Sequence, residues 1–213
     1  MNANENERMI RELVKLGYAD ERVAEAMRFA PRELFVREED KKFAYVDSPI
    51  PIGMGQTISA PSVVAFMSKS LDVSAGMNVL EIGTGSGWQA AILSFLAGKN
   101  GRVISLERLP ELAEFAKSNL AKLDCNVEVV VGDGTLGYEK NSPYDRIIVT
   151  AASPNVPPPL LQQLKEGGKL VIPVGGPWFQ DLVLIEKQKN TFTRKEIMAV
   201  VFVPLIGRYG YKE

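Results

Sequence analysis

The sequence predicts an α/β fold, a mostly parallel doubly wound sheet with an N-terminal helical extension. Short apolar runs alternate with helical stretches from residue 78 onward, and those runs are continuously apolar, as in strands buried on both faces. No internal repeat or low-complexity tract interrupts the alternation. With 213 residues, 46% hydrophobic and 24% charged, the chain reads as a single domain over 1–213. A chain of this length buries roughly 70% of its unfolded surface, so no disulfide or metal is needed as a staple.

The elements follow in order. Met9, Ile10, Leu13, Val14 and Leu16 recur at helical spacing and stop at Gly17. Asp20 caps a second helix in which Val23, Ala24, Met27 and Ala30 share a face, until Pro31 ends it. These helices belong to an extension spanning 1–46. From Asp47 to Pro61, three prolines and two glycines preclude a regular helix or central strand. This is a specified loop, and its Ile and Met content opposes disorder. A helix runs from Val63 to Leu71. The core, 77–176, holds strands at 78–82, 102–106, 127–131, 146–150 and 169–174, with helices at 88–97, 110–123 and 159–165. The C-terminal segment, 177–213, carries strand-like runs at 181–187 and 196–205, expected to extend the sheet antiparallel at its edge in an order the sequence leaves open.

The histidine count is zero, which removes Ser-His-Asp and Cys-His catalysis and histidine-ligated zinc. No metal site is expected. A net charge of −1 argues against nucleic-acid binding. The N-terminus lacks the apolar core of an export signal, and no stretch is long and apolar enough to span a membrane, so no membrane partner and a cytoplasmic address are expected. The one cysteine, Cys125, lies between a helix and a strand and reads as a buried or incidental thiol.

The chemistry-bearing motif follows the first core strand. Gly83, Gly85 and Gly87 stand at alternate positions in Glu81-Ile82-Gly83-Thr84-Gly85-Ser86-Gly87-Trp88. A glycine turn of this kind lets backbone approach a ligand and aims helix N-terminal amides at it. Glu107 ends the next strand, where a carboxylate accepts hydrogen bonds from ribose hydroxyls. Gly132-Asp133-Gly134 closes the third strand at the same edge. Singly, Glu107 and Asp133 read equally well as solvated loop acids, but three neighbouring carboxyl ends point to a nucleoside-containing cofactor. The dinucleotide fingerprint G-x-G-x-x-G fails, because Trp88 stands where its third glycine belongs. The observed spacing resembles motif I of S-adenosylmethionine-dependent methyltransferases, and implies their Rossmann-like fold. No Asp/Asn-Pro-Pro-aromatic tetrad follows the fourth strand, where the chain reads Thr150-Ala151-Ala152-Ser153-Pro154, so an amino group of a nucleobase is not the expected acceptor.

A second resemblance covers nearly the whole chain. The block Asp47-Ser-Pro-Ile-Pro-Ile-Gly-Met-Gly-Gln-Thr-Ile-Ser-Ala-Pro61 resembles the signature loop of the protein-L-isoaspartate O-methyltransferase family. Arg32-Glu33-Leu34-Phe35-Val36, Val131-Gly132-Asp133-Gly134, Pro143-Tyr144-Asp145-Arg146-Ile147, the run from Leu164 to Gly175 and Val203-Pro204-Leu205 match as well. Ser62 departs from the pattern, since the family often has histidine or an aromatic there. The resemblance implies methyl transfer from S-adenosyl-L-methionine, leaving S-adenosyl-L-homocysteine, to the α-carboxylate of L-isoaspartyl residues in damaged proteins, with D-aspartyl residues as further acceptors. It assigns Ser59 as the active-site serine, and Thr57, Ile58, Ser59, Ala60, Pro61 and Leu205 to the substrate. It assigns Gln56, Thr57, Glu81, Gly83, Thr84, Gly85, Ser86, Gly87, Glu107, Arg108, Asp133, Gly134 and Thr150 to the cofactor. The hydroxyls of Thr57 and Ser59 read alternatively as ties for loop backbone. A monomer is expected. The competing readings are a non-catalytic module binding S-adenosylmethionine and a protein, which gives no reason for the 56–61 loop, and a nicotinamide enzyme, which the glycine spacing opposes. Under the repair reading, Asn100-Gly101 is itself expected to deamidate on ageing and become a substrate for other copies.

Overall fold

A computed structural model describes residues 2–189 and 191–212. Met1, Asn190 and Glu213, which fall at the ends of the expected single domain and inside its C-terminal segment, lie outside the described residues.

Helices α1 (Asn2–Lys15) and α2 (Glu21–Phe29) form the extension, and the Asp20 carboxylate accepts from the Val23 amide as a cap should. Two 3-10 turns follow, at Arg32–Leu34 and Glu38–Phe43. The segment expected as a loop contains a small antiparallel ribbon, β1 (Ile50–Gly53) and β2 (Gln56–Ile58), paired Ile50 to Ile58. Its prolines are tolerated because the ribbon stands apart from the main sheet and needs no ladder on its outer side. After α3 (Pro61–Leu71) come β3 (Asn78–Ile82), α4 (Trp88–Ala97), β4 (Arg102–Glu107), α5 (Pro110–Leu120), β5 (Val127–Val131), β6 (Tyr144–Val149), α6 (Pro158–Gln163), β7 (Leu164–Gly175), β8 (Gln180–Gln188) and β9 (Thr191–Val200).

Among the described residues these strands build a seven-stranded sheet in the order β5-β4-β3-β6-β7-β8-β9, parallel from β5 to β7 and antiparallel beyond. The continuous apolar runs are explained by two cores. Val79, Val103, Ile148 and Val171 pack on one face with residues of α1 to α5, whereas Leu80, Ile104, Ile147 and Leu170 pack on the other with Leu160 and Leu205. The order reverses at β3, so the carboxyl ends of β4, β3 and β6 open a crevice there. No described helix is long and apolar enough to cross a membrane.

The C-terminal strand departs from expectation. It begins at Thr191 and ends at Val200 rather than covering 196–205. Residues 201–205 leave the sheet because other partners satisfy their backbone. Phe202 N–H donates to the Gln180 side chain, and Ala152 exchanges hydrogen bonds with Val203 and Leu205. The tail is thereby carried across the crevice.

Asn100-Gly101 lies in the α4–β4 turn. The Gly101 N–H, the nitrogen that must attack the asparagine side chain, donates to Gly98 O at 3.0 Å, and a Cβ at Gly101 would fall 2.4 Å from Ala97 O. The glycine is kept for that close approach, and the native turn restrains the reactive nitrogen, a brake that the dipeptide by itself does not reveal. Aged folded protein is therefore expected to keep Asn100 by peptide mass mapping while urea-unfolded protein loses it. Equal loss in both states would remove the restraint.

Candidate active site

Three cavities meet at the crevice, and Thr57 and Thr150 line all of them. The first is walled by Gly83, Gly85, Glu107, Arg108 and Gly134, with Leu106, Leu109 and Leu112 as an apolar side and the tail residues 203–206 opposite. The second, about 370 Å³, is lined by Thr57, Ser59, Ala60 and Val63 from the ribbon and α3, and by Phe179 and residues 198–203. That is more than ten times the ~30 Å³ share of a liquid water. The third joins Thr57, Ile58 and Ser59 to the turn from Gly83 to Ser86.

Local structure explains the glycine turn. Gly83 has φ +95°, and a Cβ there would come within 2.4 Å of Thr150 Oγ1. Thr150 donates to Gly83 O at 2.6 Å, locking the ends of β3 and β6 together. Glu107 is 7% exposed; its Oε2 accepts from Gly85 N at 2.9 Å and its Oε1 from Leu109 N at 3.1 Å. The carboxylate is thus held at the cavity wall with lone pairs to spare.

The ribbon is placed by a residue to which the sequence reading assigned no role. Arg32 is fully buried, and its guanidinium donates to the carbonyls of Ala44 at 2.8 Å, Ser48 at 2.9 Å and Ser59 at 3.0 Å, with longer contacts to Val46 and Ile58. It lies 5.3 Å from the Trp88 ring centroid, and Trp88 Nε1 donates to Ala30 O. Burial lowers its pKa to about 10, opposed by Asp47. Asp47 in turn accepts from Ser62 N at 2.8 Å, capping α3 from outside the helix. One arginine and one aspartate therefore tie the extension, the ribbon and the first turn of α4 into a unit. A lone arginine after a helix-ending proline, followed by Leu34-Phe35-Val36, was the available signal.

Period-two alternation puts Thr57 and Ser59 on the same side of β2 and its exit, toward the cavities, while Ile58 between them is 4% exposed and packs inward. Ser59 lines the second and third cavities, and Ala60 the second. Gln56, Gly83, Gly85, Glu107, Arg108, Gly134 and Thr150 line the first, while Thr84 and Ser86 line the third.

Several expected contacts fall elsewhere. Pro61 lines none of these cavities and stands buried at the first position of α3, where its missing N–H costs nothing. Leu205, expected on the substrate side, lines the first cavity because the tail crosses there. Gly87 serves as the left-handed cap of α4 rather than as cavity wall. Asp133 is turned to the tail, accepting from Thr135 and from Arg208 N, which lower its pKa against the effect of burial. Ser62 lines none of the three cavities, so its departure from the family pattern removes no lining side chain.

Glu81 is the clearest departure from direct contact. It is fully buried beneath the turn, where its Oε2 accepts from Ser105, whose hydroxyl also meets Thr84 Oγ1 at 2.6 Å, and its Oε1 has no hydrogen-bond partner. Burial pushes its pKa up to about 8, with Ser105 opposing and Glu107 adding. The neutral acid thus supports the glycine turn from below. Because the folded state holds a proton that the unfolded state releases near its ordinary value of 4.5, stability present below pH 4.5 is lost as pH rises toward about 8. The thermal midpoint is expected to fall by several degrees over that window, and Glu81→Gln to flatten the fall. An identical pH profile for both proteins would assign the slope elsewhere.

The residues present fit S-adenosylmethionine. Gly83 admits no side chain, the Glu107 carboxylate suits a ribose diol, and the leucine wall suits a flat base. A mostly parallel sheet with this cavity at its topological switch point, walled by a G-x-G-x-G turn and an acidic strand end, is the architecture of the S-adenosylmethionine-dependent methyltransferases that superpose on it. The chain belongs to the protein-L-isoaspartate(D-aspartate) O-methyltransferase family, whose model matches residues 4–210. It is 53% identical to the protein-L-isoaspartate O-methyltransferase of Methanopyrus kandleri over 97% of this chain and 93% of that one, and 51% identical to that of Methanothrix thermoacetophila over 97% of each. Among solved structures, a protein-L-isoaspartate O-methyltransferase superposes with a TM-score of 0.87 at 32% identity, covering 96% of this chain and 67% of that one. A Plasmodium falciparum relative in complex with S-adenosyl-L-homocysteine superposes at 0.84 with 27% identity, covering 94% and 98%.

Proposed function

We propose that the protein initiates repair of damaged proteins by methylating the α-carboxylate of L-isoaspartyl residues, with D-aspartyl residues as further acceptors. The observation that carries this reading is the junction at Thr57 and Thr150, where the cavity bearing Ser59 meets the one bearing Glu107 and the glycine turn. When bound, S-adenosylmethionine supplies an electrophilic methyl group at that junction. Ser59 and Thr57 hold the acceptor carboxylate by hydroxyl donation and aim its oxygen. Glu107 and the 83–87 turn hold the nucleoside half, and the tail residues 203–206 close that side against water.

No general base is needed, because a carboxylate with a pKa near 4 is already ionised. This accounts for a site built without histidine. In the methylated product, a backbone amide nitrogen of the substrate displaces methanol to close a succinimide, whose hydrolysis returns some normal aspartate.

A monomeric, cytoplasmic enzyme belongs to the same reading. Cys125, the one free cysteine, is half-buried and donates to Leu120 O, as suits a reducing compartment. Incubation with methyl-labelled cofactor is expected to label an isoaspartyl peptide and spare its aspartyl counterpart. Binding of cofactor without transfer to either peptide would instead establish a non-catalytic binding module.

A further inference from the structure

The turn between β7 and β8 presents apolar side chains where a soluble surface ordinarily hides them. Trp178 is 88% exposed and Phe179 58%, and Val201, on the tail beside the same cavity, is 73% exposed. The turn is built, not loose. Gln180, fully buried, donates to Gly176 O and accepts from Phe202 N at 2.8 Å, so a single amide joins the turn to the tail. Gly175 N donates to Ser153 O at 3.0 Å, and the Tyr211 hydroxyl donates to Gly175 O. A Cβ at Gly175 would lie 2.6 Å from Phe179 O, so the turn closes tightly on itself. Adjacent apolar side chains exposed on a backbone turn that is tied down in this way mark an interaction surface. Phe179 lines the cavity that contains Ser59 and Thr57, which makes the patch continuous with the acceptor site.

We propose that Trp178, Phe179 and Val201 form a subsite for a bulky apolar side chain of the substrate, on a residue flanking the isoaspartyl acceptor. This rests on the repair reading above. The occupant is part of the acceptor polypeptide because Phe179 and Val201 line the acceptor's own cavity, with Trp178 next to Phe179 at its rim, and it is apolar because the patch offers hydrophobic and aromatic surface. Such a subsite favours damaged segments that have exposed a normally buried residue. It would thus direct methylation toward locally unfolded protein.

Steady-state kinetics with two isoaspartyl hexapeptides tests this, one flanked by phenylalanine and one by glycine. The wild-type protein is expected to show a KM about fivefold lower for the phenylalanine peptide, the scale of one partly buried aromatic. Trp178→Ser, a change at a nearly fully exposed position, is expected to shrink that preference while leaving the glycine peptide's rate and the cofactor Kd unchanged. Equal KM values for both peptides, or a preference undisturbed by both Trp178→Ser and Phe179→Ser, would overturn the subsite alone. Failure to methylate either peptide would overturn the repair reading and the subsite with it.

Discussion

Replacing Arg32 with methionine is expected to lower the thermal midpoint by on the order of 10 °C and kcat/KM for an isoaspartyl peptide by at least about tenfold. The side chain is fully buried, and its removal leaves the carbonyls of Ala44, Ser48 and Ser59 without their donors. Each unsatisfied buried acceptor costs about 1–3 kcal/mol, and a domain of this size loses about 2–4 °C per kcal/mol. The methionine recovers part of that through packing beside Trp88. Activity falls because the same carbonyls position the ribbon bearing Thr57 and Ser59. Arg32→Lys separates the two effects. Its ammonium keeps the charge but cannot span the carbonyls in a planar fork, so the protein is expected to fold and still lose activity. Differential scanning calorimetry and peptide kinetics on both variants supply the check, and a Lys variant with wild-type kinetics would reduce Arg32 to a stabilising residue.

Ser59→Ala is expected to cut single-turnover methyl transfer by at least about tenfold with the cofactor Kd unchanged, the scale of losing one preorganised donor at a reacting group. The variant is a clean probe because Arg32 grips the Ser59 carbonyl rather than its hydroxyl, so alanine leaves the ribbon in place. An unchanged single-turnover rate would take Ser59 off the catalytic assignment and return its hydroxyl to a structural role.

The inner core strands were legible because burial on both sheet faces demands continuous apolar runs, as at 147–149, whereas the edge strand Val127–Val131 is only half-buried and was legible from its β-branched composition. The glycine turn and Glu107 were legible because their chemistry depends on spacing along one βαβ unit. The acceptor side was legible only through the 47–61 block. The alternation that puts Thr57 and Ser59 on one face runs through a strand of only three residues, flanked by prolines and glycines, too short to read as a strand from the sequence. Glu81, Asp133 and Leu205 lie around the crevice, but which way each side chain points depends on Ser105, Arg208 and Ala152, partners far away in sequence.

The sequence by itself determined the fold class, the glycine turn and acidic strand end at one edge of the sheet, and a chemistry without imidazole. These rest on local spacing and composition, which the chain carries wherever it is read. Tertiary structure alone decided that Arg32 would hold the ribbon, that β9 would stop at Val200 so the tail could wall the first cavity, and that Phe179 would line the cavity that holds Ser59. The physical reason is that buried carbonyls and amides must each find a partner, and here those partners come from segments tens of residues apart.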